Sequence, residues 1–212
     1  MYNAGLVVKY ERDNSMYFEY GDKELNHLRS RDKKLAAIID QMGIIKRKVN
    51  SDLFSALIES IVGQQISGKA AFTVCNRLND LSDFNACKLN KLPIEEIQSC
   101  GMSMRKAKYI KGIADAVVNN ILDLDVLKDK PDDEVIKTLI KFEGIGTWTA
   151  EMLLIFSLMR PDVISYNDLA IRRGIMSLYG HKDLPKERFM RYAKRYKPYS
   201  SVASLYLWEL SH

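Results

Sequence analysis

Hydrophobic residues recur at helical spacing along most of the chain. The segment "LFSALIESIV" predicts a helix whose core-facing side carries Phe54, Leu57, Ile58 and Ile61. Either Asn50 or Ser51 is expected to cap its N-terminus. Two further stripes show helical spacing. The first comprises Ala107, Ile110, Ala114, Val117 and Ile121, and the second, which follows Pro131, comprises Val135, Ile136, Leu139 and Ile140. Since glycine and proline are scarce, the pattern predicts an all-α fold.

The later part of the chain continues this pattern. Residues from Trp148 to Leu158 are almost uniformly apolar, which predicts a helix buried on all sides. Another helix is predicted to begin at Asn167 or Asp168, and a last pair covers "KERFMRYAKRYK" and "SSVASLYLWEL". Only the first 20 residues, with "LVVKYE" and "MYFEY" around "RDNS", predict a small β-hairpin.

The charge of the chain is unevenly distributed. The net charge is +5 and the isoelectric point is about 9.0. One predicted helix begins with Arg105, Lys106 and Lys108, and a second basic group near the C-terminus comprises Lys186, Arg191, Lys194 and Arg195. Such clusters favour sequence-independent contact with nucleic-acid phosphates, although a solvated charged face is the usual explanation for any single lysine.

Composition also excludes several classes of protein. Cys75, Cys87 and Cys100 are too few and too far apart for a disulfide framework or a metal-ligand set, so they are expected to be reduced core thiols. No apolar run approaches the roughly 20 residues that span a bilayer, and the N-terminus lacks a long hydrophobic signal region. A cytoplasmic protein without membrane association is expected.

A glycine-rich turn separates two of the predicted helices. In "FEGIGTWTAEML", Gly144 and Gly146 can adopt positive φ angles and leave no side chain over the following backbone N–H groups. Those groups, at the start of the next helix, are suited to binding an anion such as a phosphate. The alternative is an ordinary turn between two helices with a glycine C-cap.

Four motifs carry a family resemblance. "FEGIGTWTA" resembles the helix-hairpin-helix signature of the HhH-GPD DNA glycosylase superfamily, which includes endonuclease III and the 3-methyladenine DNA glycosylases. "IVGQQIS", "GMSMRKAKYIKGIA" and "YKPYSSVASLYLW" are similar to segments of its alkylbase branch. The resemblance covers the chain from about residue 22 onward. It implies a single domain over 1–212 with two helical lobes, about 1–50 plus 160–212 and about 51–159, flanking a DNA-binding cleft.

The resemblance assigns the chemistry to Asp168. In "SYNDLAI", Asp168 occupies the position of the family's aspartate, about twenty residues after the hairpin. A fixed carboxylate can stabilise the positive charge that develops on the sugar when an N-glycosidic bond breaks, or orient the attacking water. Asp168 also fits a helix cap, and the two roles are compatible.

Trp148 and Tyr199 are the expected base-pocket residues. Bifunctional members of the family have a lysine at the position of Trp148, so this chain is expected to remove a base without a lyase step. Aromatic rings can stack on an alkylated purine, which carries positive charge. Core packing is the alternative for both residues. Tyr199 and Ser200 replace the branch's usual Trp-Arg, which leaves base specificity open.

The remaining residues are expected to contact DNA. By register, Gln64 and Gln65 form the loop that enters the base stack, although a solvated loop would show the same residues. Gly144, Gly146 and Thr149 would hold a phosphate. The carbonyls of Ile140, Phe142 and Ile145 would ligate a monovalent cation, Na⁺ or K⁺, when DNA is bound, and no other cofactor is expected.

These inferences together predict a function. The chain is expected to be a monomeric, monofunctional glycosylase that removes alkylated purines, such as 3-methyladenine or 7-methylguanine, from double-stranded DNA. Its partner would be a duplex with a flipped damaged base, and the reaction would begin base excision repair. Two alternatives remain: a glycosylase for deaminated or oxidised bases, and a catalytically silent helix-hairpin-helix DNA-binding module.

Overall fold

A computed structural model describes residues 16–211, and the all-α prediction is confirmed there: thirteen helices and no strand longer than an isolated bridge. The helices are α1 (Asp22–Arg31), α2 (Lys33–Met42), α3 (Leu53–Gly63), α4 (Gly68–Ser82), α5 (Ala86–Lys91), α6 (Ile94–Ser99), α7 (Met104–Val118), α8 (Leu124–Asp129), α9 (Asp132–Leu139), α10 (Thr147–Phe156), α11 (Leu169–Tyr179), α12 (Lys186–Tyr196) and α13 (Ser200–Glu209).

The described residues form two compact units. The first unit comprises Asn50–Leu153, and the second comprises Met16–Val49 together with 154–211. The first unit therefore contains α3 to α9 and most of α10, whereas the second contains α1, α2 and α11 to α13.

The first unit has its core around α3. The predicted stripe of Phe54, Leu57, Ile58 and Ile61 is confirmed as buried. The predicted cap was wrong, because Asp52 is the N-cap and its carboxylate accepts a hydrogen bond from Ser55 N at 3.2 Å. Asn50 instead accepts from Asp52 N at 3.1 Å, so it stabilises the turn before the helix.

Two predicted stripes end earlier than the sequence pattern suggested. Helix α7 ends at Val118, and the amides of Ile121 and Leu122 both donate to Ala116 O in the turn that follows. Ile121 lies outside the helix and is 70% exposed, so its assignment to the core was wrong. Ile140 is likewise exposed, because it follows the last residue of α9.

The second unit is organised by a close crossing of α11 and α13. Helix α13 is buried from Ser200 to Trp208. At Gly174 a Cβ atom would lie 2.0 Å from Leu207 O, so the two helix backbones are in direct contact there. Only glycine permits this approach.

The predicted N-terminal hairpin falls mostly on residues 1–15, which lie outside the described residues. Of its two segments only "MYFEY" is described, and it pairs with a different part of the chain. Tyr17 forms an antiparallel bridge with Lys48, Phe18 N donates to Arg47 O at 2.9 Å, and Val49 N donates to Met16 O at 3.0 Å.

The three thiols differ in their surroundings. Cys75 and Cys100 are buried, and burial raises the pKa of Cys75 to about 12, so its thiol stays protonated. Cys87 is exposed, so its prediction as a core residue was wrong. Within residues 16–211, no helix has the length and hydropathy needed to span a bilayer.

Candidate active site and nucleic-acid interface

Helices α9 and α10 and the connection 140–146 form the predicted glycine-containing hairpin. Gly144 has a φ of +86°, a value that glycine adopts without strain. A Cβ at Gly144 would lie 2.4 Å from Cδ2 and 2.9 Å from Cγ of Tyr109, which extends from α7. Both the backbone conformation and the packing therefore require glycine at this position.

At position 146, neither the backbone conformation nor the packing requires glycine. Its φ lies outside the left-handed region, and a Cβ there would meet nothing within 4 Å. Gly146 O accepts from Ala150 N at 3.1 Å, so Gly146 stands at the start of α10. The first turn of a helix leaves N–H groups without intrahelical partners, and the missing side chain keeps the approach to them open.

Other hairpin residues differ in accessibility. Thr149 is buried, so its predicted phosphate contact would come from its backbone N–H rather than its hydroxyl. Thr147, which no sequence motif singled out, is exposed in the first turn of α10. Phe142 O accepts from Ile145 N at 3.2 Å, and since a carbonyl oxygen has two lone pairs, it can still ligate a cation.

The loop 64–67, between α3 and α4, contains both predicted wedge residues. Gln64 Nε2 donates to Gly144 O at 2.8 Å, which ties the loop to the hairpin. Gln65 is exposed and has a φ of 58°, an uncommon conformation for a residue with a side chain. The two glutamines therefore differ: Gln64 makes a structural contact, and Gln65 projects at the turn. Insertion of Gln65 into DNA stays a prediction.

Lys106 contributes to the same arrangement. Its Nζ donates to Val62 O at 2.8 Å and to Gln64 O at 2.5 Å, the carbonyls that end α3 and begin the loop. Burial lowers the pKa of this half-buried amine. These bonds favour a structural role for Lys106 over its predicted phosphate contact, whereas Arg105 and Lys108 on the same helix are exposed.

Asp168 is the N-cap of α11, as predicted. One carboxylate oxygen accepts a hydrogen bond from Ile171 N at 2.9 Å, and the residue is only 3% exposed. A buried aspartate at a helix N-terminus is favoured by the helix dipole and by the N–H groups of the first turn.

The segment before Asp168 is fixed by α13. Ser201 Oγ accepts from Val163 N at 3.0 Å and donates to Arg160 O at 2.6 Å, and Ser201 N donates to Pro161 O at 3.0 Å. Ser200 Oγ donates to Asp162 Oδ1 at 2.5 Å. Both serines are buried polar residues whose contacts no sequence motif indicated.

The two predicted pocket aromatics are both half-buried. Tyr199 belongs to the second unit, where its ring packs edge-on against His27 at a centroid distance of 5.2 Å. His27 Nε2 lies 2.8 Å from Lys197 O, in the turn that precedes Tyr199. Trp148 belongs to the first unit, in the first turn of α10. Their roles in base binding stay predictions.

Comparison with known proteins identifies the class. The family model of HhH-GPD superfamily base excision DNA repair proteins matches residues 58–198. The chain therefore belongs to this superfamily.

The relatives narrow the class to the alkylbase branch. DNA-3-methyladenine glycosylase 1 of Schizosaccharomyces pombe is 29% identical over 185 residues, which cover 84% of this chain and 81% of that protein. The crystal structure of DNA-3-methyladenine glycosidase from Bacillus halodurans matches with a TM-score of 0.82 and 33% identity, covering 92% of each chain. The S. pombe enzyme in complex with abasic DNA matches with a TM-score of 0.77 and 29% identity, covering 89% of this chain and 96% of that one.

Proposed function

We propose that this protein is a monofunctional DNA glycosylase that hydrolyses the N-glycosidic bond of alkylated purines in double-stranded DNA and so begins base excision repair. The observation that carries the proposal is the buried carboxylate of Asp168 at the N-terminus of α11, in a chain whose helical hairpin precedes it. The names of the relatives, which are 3-methyladenine DNA glycosylases, support the same reaction.

Asp168 is proposed to act on the sugar. As the bond to the base breaks, positive charge develops on the sugar ring, and a nearby fixed carboxylate stabilises that charge. The hydrogen bond from Ile171 N fixes one oxygen of the group, and α13 fixes the segment before it. Preorganisation of this kind reduces the reorganisation needed in the transition state.

Water is proposed to be the nucleophile. A lyase step would require a neutral amine that forms a Schiff base with the sugar, and Trp148 stands where the bifunctional members carry that lysine. We therefore expect base release to leave an intact strand with an abasic site.

The substrate is proposed to be a positively charged purine. Trp148 and Tyr199, both half-buried, are proposed to supply the rings that stack on it. Stacking of a cationic base on such a ring is worth about 1–2 kcal/mol. A methylated purine is also a good leaving group, so the site needs no strong general acid.

DNA is proposed to bind along the hairpin and the 64–67 loop. Gln65 would fill the gap left by the flipped base, while Gln64 and Lys106 hold the loop in place. The N-terminal turn of α10 would bind a phosphate, and the carbonyls of Ile140, Phe142 and Ile145 would hold Na⁺ or K⁺ against it. We propose that the protein acts as a monomer, in the cytoplasm.

The proposal is tested with duplexes that contain 7-methylguanine, 3-methyladenine, hypoxanthine or 8-oxoguanine. We expect release of the two methylated bases, with strand nicks only after alkali. Nicks without alkali would contradict the monofunctional assignment. Preferred release of a neutral lesion would contradict the alkylpurine assignment, and binding without release of any base would favour the non-catalytic module.

A further inference from the structure

One face of α12 carries three arginines and a tyrosine. Arg188, Arg191, Tyr192 and Arg195 recur at spacings of three and four residues, so they share a side of the helix. Together with His181 they line a cavity of about 400 Å³ within the second unit.

His181 is fixed by the end of α11. Gly180 has a φ of +71° and caps that helix, and His181 N donates to Met176 O at 2.9 Å. The His181 Nε2 atom lies 2.6 Å from Tyr192 OH. The imidazole therefore reaches the cavity from a defined turn rather than from a free loop.

Tyr192, the aromatic residue among those that line the cavity, packs against two neighbouring side chains. Tyr192 stacks on Tyr179 with a centroid distance of 3.9 Å and an interplanar angle of 17°. The Arg195 guanidinium lies 5.2 Å from the Tyr192 centroid. Because the ring already packs against these groups, the cavity offers guanidinium, imidazole and phenol groups rather than a platform for a nucleobase.

The positive charge of the cavity is only partly balanced. Arg195 Nη1 lies 3.2 Å from Asp32 Oδ2, and this buried carboxylate also accepts from Tyr179 OH. Arg188 Nη1 is 3.5 Å from the exposed Asp183, an ion pair of little strength. Arg191 makes no ion pair with any residue in the described range 16–211.

We propose that this pocket binds a phosphate group of nucleic acid, with Arg191 and Arg188 as its main donors. Guanidinium groups bind phosphate oxygens through paired hydrogen bonds, and several of them around one cavity suit a multiply oxygenated anion. The nucleic-acid source of the phosphate rests on the proposed function. The phosphate is either an internal diester of the duplex or a terminal monoester, and these are distinguishable.

The test compares two charge-matched double variants of the full chain. Arg188→Gln/Arg191→Gln removes two charges from the pocket and leaves Arg195 with its Asp32 contact. Lys23→Gln/Lys33→Gln removes two charges from exposed positions of the same unit that do not line the cavity. Thermal melting establishes that both variants are folded.

Binding is measured against salt concentration on three undamaged duplexes of one sequence: a closed dumbbell without ends, a linear duplex with 5′-hydroxyl ends and the same duplex with 5′-phosphates. For an internal diester, the pocket variant weakens binding to all three duplexes and lowers the log-log salt slope by about 1, the value for one lost phosphate contact, and by more than the control variant does. For a terminal monoester, the pocket variant loses affinity only for the phosphorylated duplex.

The proposal is overturned if the pocket variant and the control variant have the same affinities and slopes on all three duplexes. A third variant, Arg191→Lys, keeps the charge and should keep most of the slope. These measurements use undamaged DNA and score only binding. They therefore test the pocket even if the protein releases no base, and a lack of base release would contradict the proposed function rather than this proposal.

Discussion

The 64–67 loop of the first unit and the turn at Asp168 in the second unit are held by different kinds of contact. In the loop, two side-chain nitrogens, Gln64 Nε2 and Lys106 Nζ, reach backbone carbonyls distant in sequence. At Asp168, a buried helix with serine hydroxyls fixes the chain, and α11 and α13 are in backbone contact at Gly174.

This difference suits the tasks proposed for the two regions, which are DNA contact for the loop and transition-state stabilisation for Asp168. A loop held by a few polar bonds can exchange them for contacts with DNA at low cost, since a neutral hydrogen bond contributes a net stability of about 0.5–1.5 kcal/mol and one from a charged group about 1.5–3 kcal/mol. A carboxylate that stabilises a transition state must keep its position, and close-packed helices resist displacement. We therefore expect substitutions at the contact between α11 and α13 to affect folding, whereas substitutions at exposed positions around the loop should affect DNA binding.

The glycine-containing hairpin differs from the loop, although both belong to the first unit, because it is closely packed. Gly144→Ala should have the largest effect on stability. The substitution imposes a left-handed conformation on alanine, which costs about 1–2 kcal/mol, and brings Cβ against Tyr109. We expect a loss of about 2–4 kcal/mol in the free energy of unfolding, measured by urea titration. An unchanged midpoint would contradict the role assigned to this turn.

Gly174→Ala should destabilise the second unit by a comparable amount. The new Cβ would lie 2.0 Å from Leu207 O, a backbone atom that cannot move alone. We expect a loss of about 2–4 kcal/mol in the free energy of unfolding and a melting temperature lower by roughly 4–16 °C.

The matched control for Gly174→Ala is Gly112→Ala. Gly112 lies within α7, and a Cβ added there would meet nothing within 4 Å, so alanine should stabilise the protein by up to about 1 kcal/mol. If both substitutions lowered the free energy of unfolding, close packing at Gly174 would not explain the effect of Gly174→Ala.

Lys106→Met separates loop positioning from phosphate contact. Removal of the amine leaves Val62 O and Gln64 O without their donor, so we expect a loss of about 1–3 kcal/mol and faster hydrogen exchange in the loop. The salt slope of DNA binding should stay unchanged. The control, Lys108→Met, should lower that slope by about 1 without affecting stability. The reverse pattern would return Lys106 to its predicted role as a phosphate ligand.

Gly146→Ala should have the smallest effect on stability. Its Cβ meets nothing within 4 Å, so the free energy of unfolding should change by less than about 0.5 kcal/mol. A methyl group beside the first turn of α10 should nevertheless weaken DNA binding roughly fivefold, or about 1 kcal/mol. Unchanged affinity in a filter-binding or anisotropy titration would contradict the proposal that this helix N-terminus binds a phosphate.

The sequence predicted those features that depend on local pattern. Periodic hydrophobicity located α3, α7, α9 and α10, and the cap at Asp168 followed from residue type and position. Local pattern predicted Asn50 or Ser51 as the α3 cap and missed Asp52, because all three residue types can fill that position.

Features that depend on distant contacts were missed. Lys106 looked like a surface cation because its carbonyl partners lie 42 and 44 residues earlier in the chain. The requirement for glycine at position 174 is set by Leu207 on another helix. The hydroxyl of Ser201 acquires its role only when α13 meets the segment before Asp168.

The most direct test of the catalytic assignment is single-turnover release of 7-methylguanine by wild type and Asp168→Asn. Asparagine can accept the same hydrogen bond from Ile171 N, so the cap and the fold should be retained while the negative charge is lost. We expect unchanged melting and DNA affinity, with release slower on the order of 100- to 1,000-fold. Equal release rates in the two proteins would contradict the assignment of Asp168 as the catalytic carboxylate.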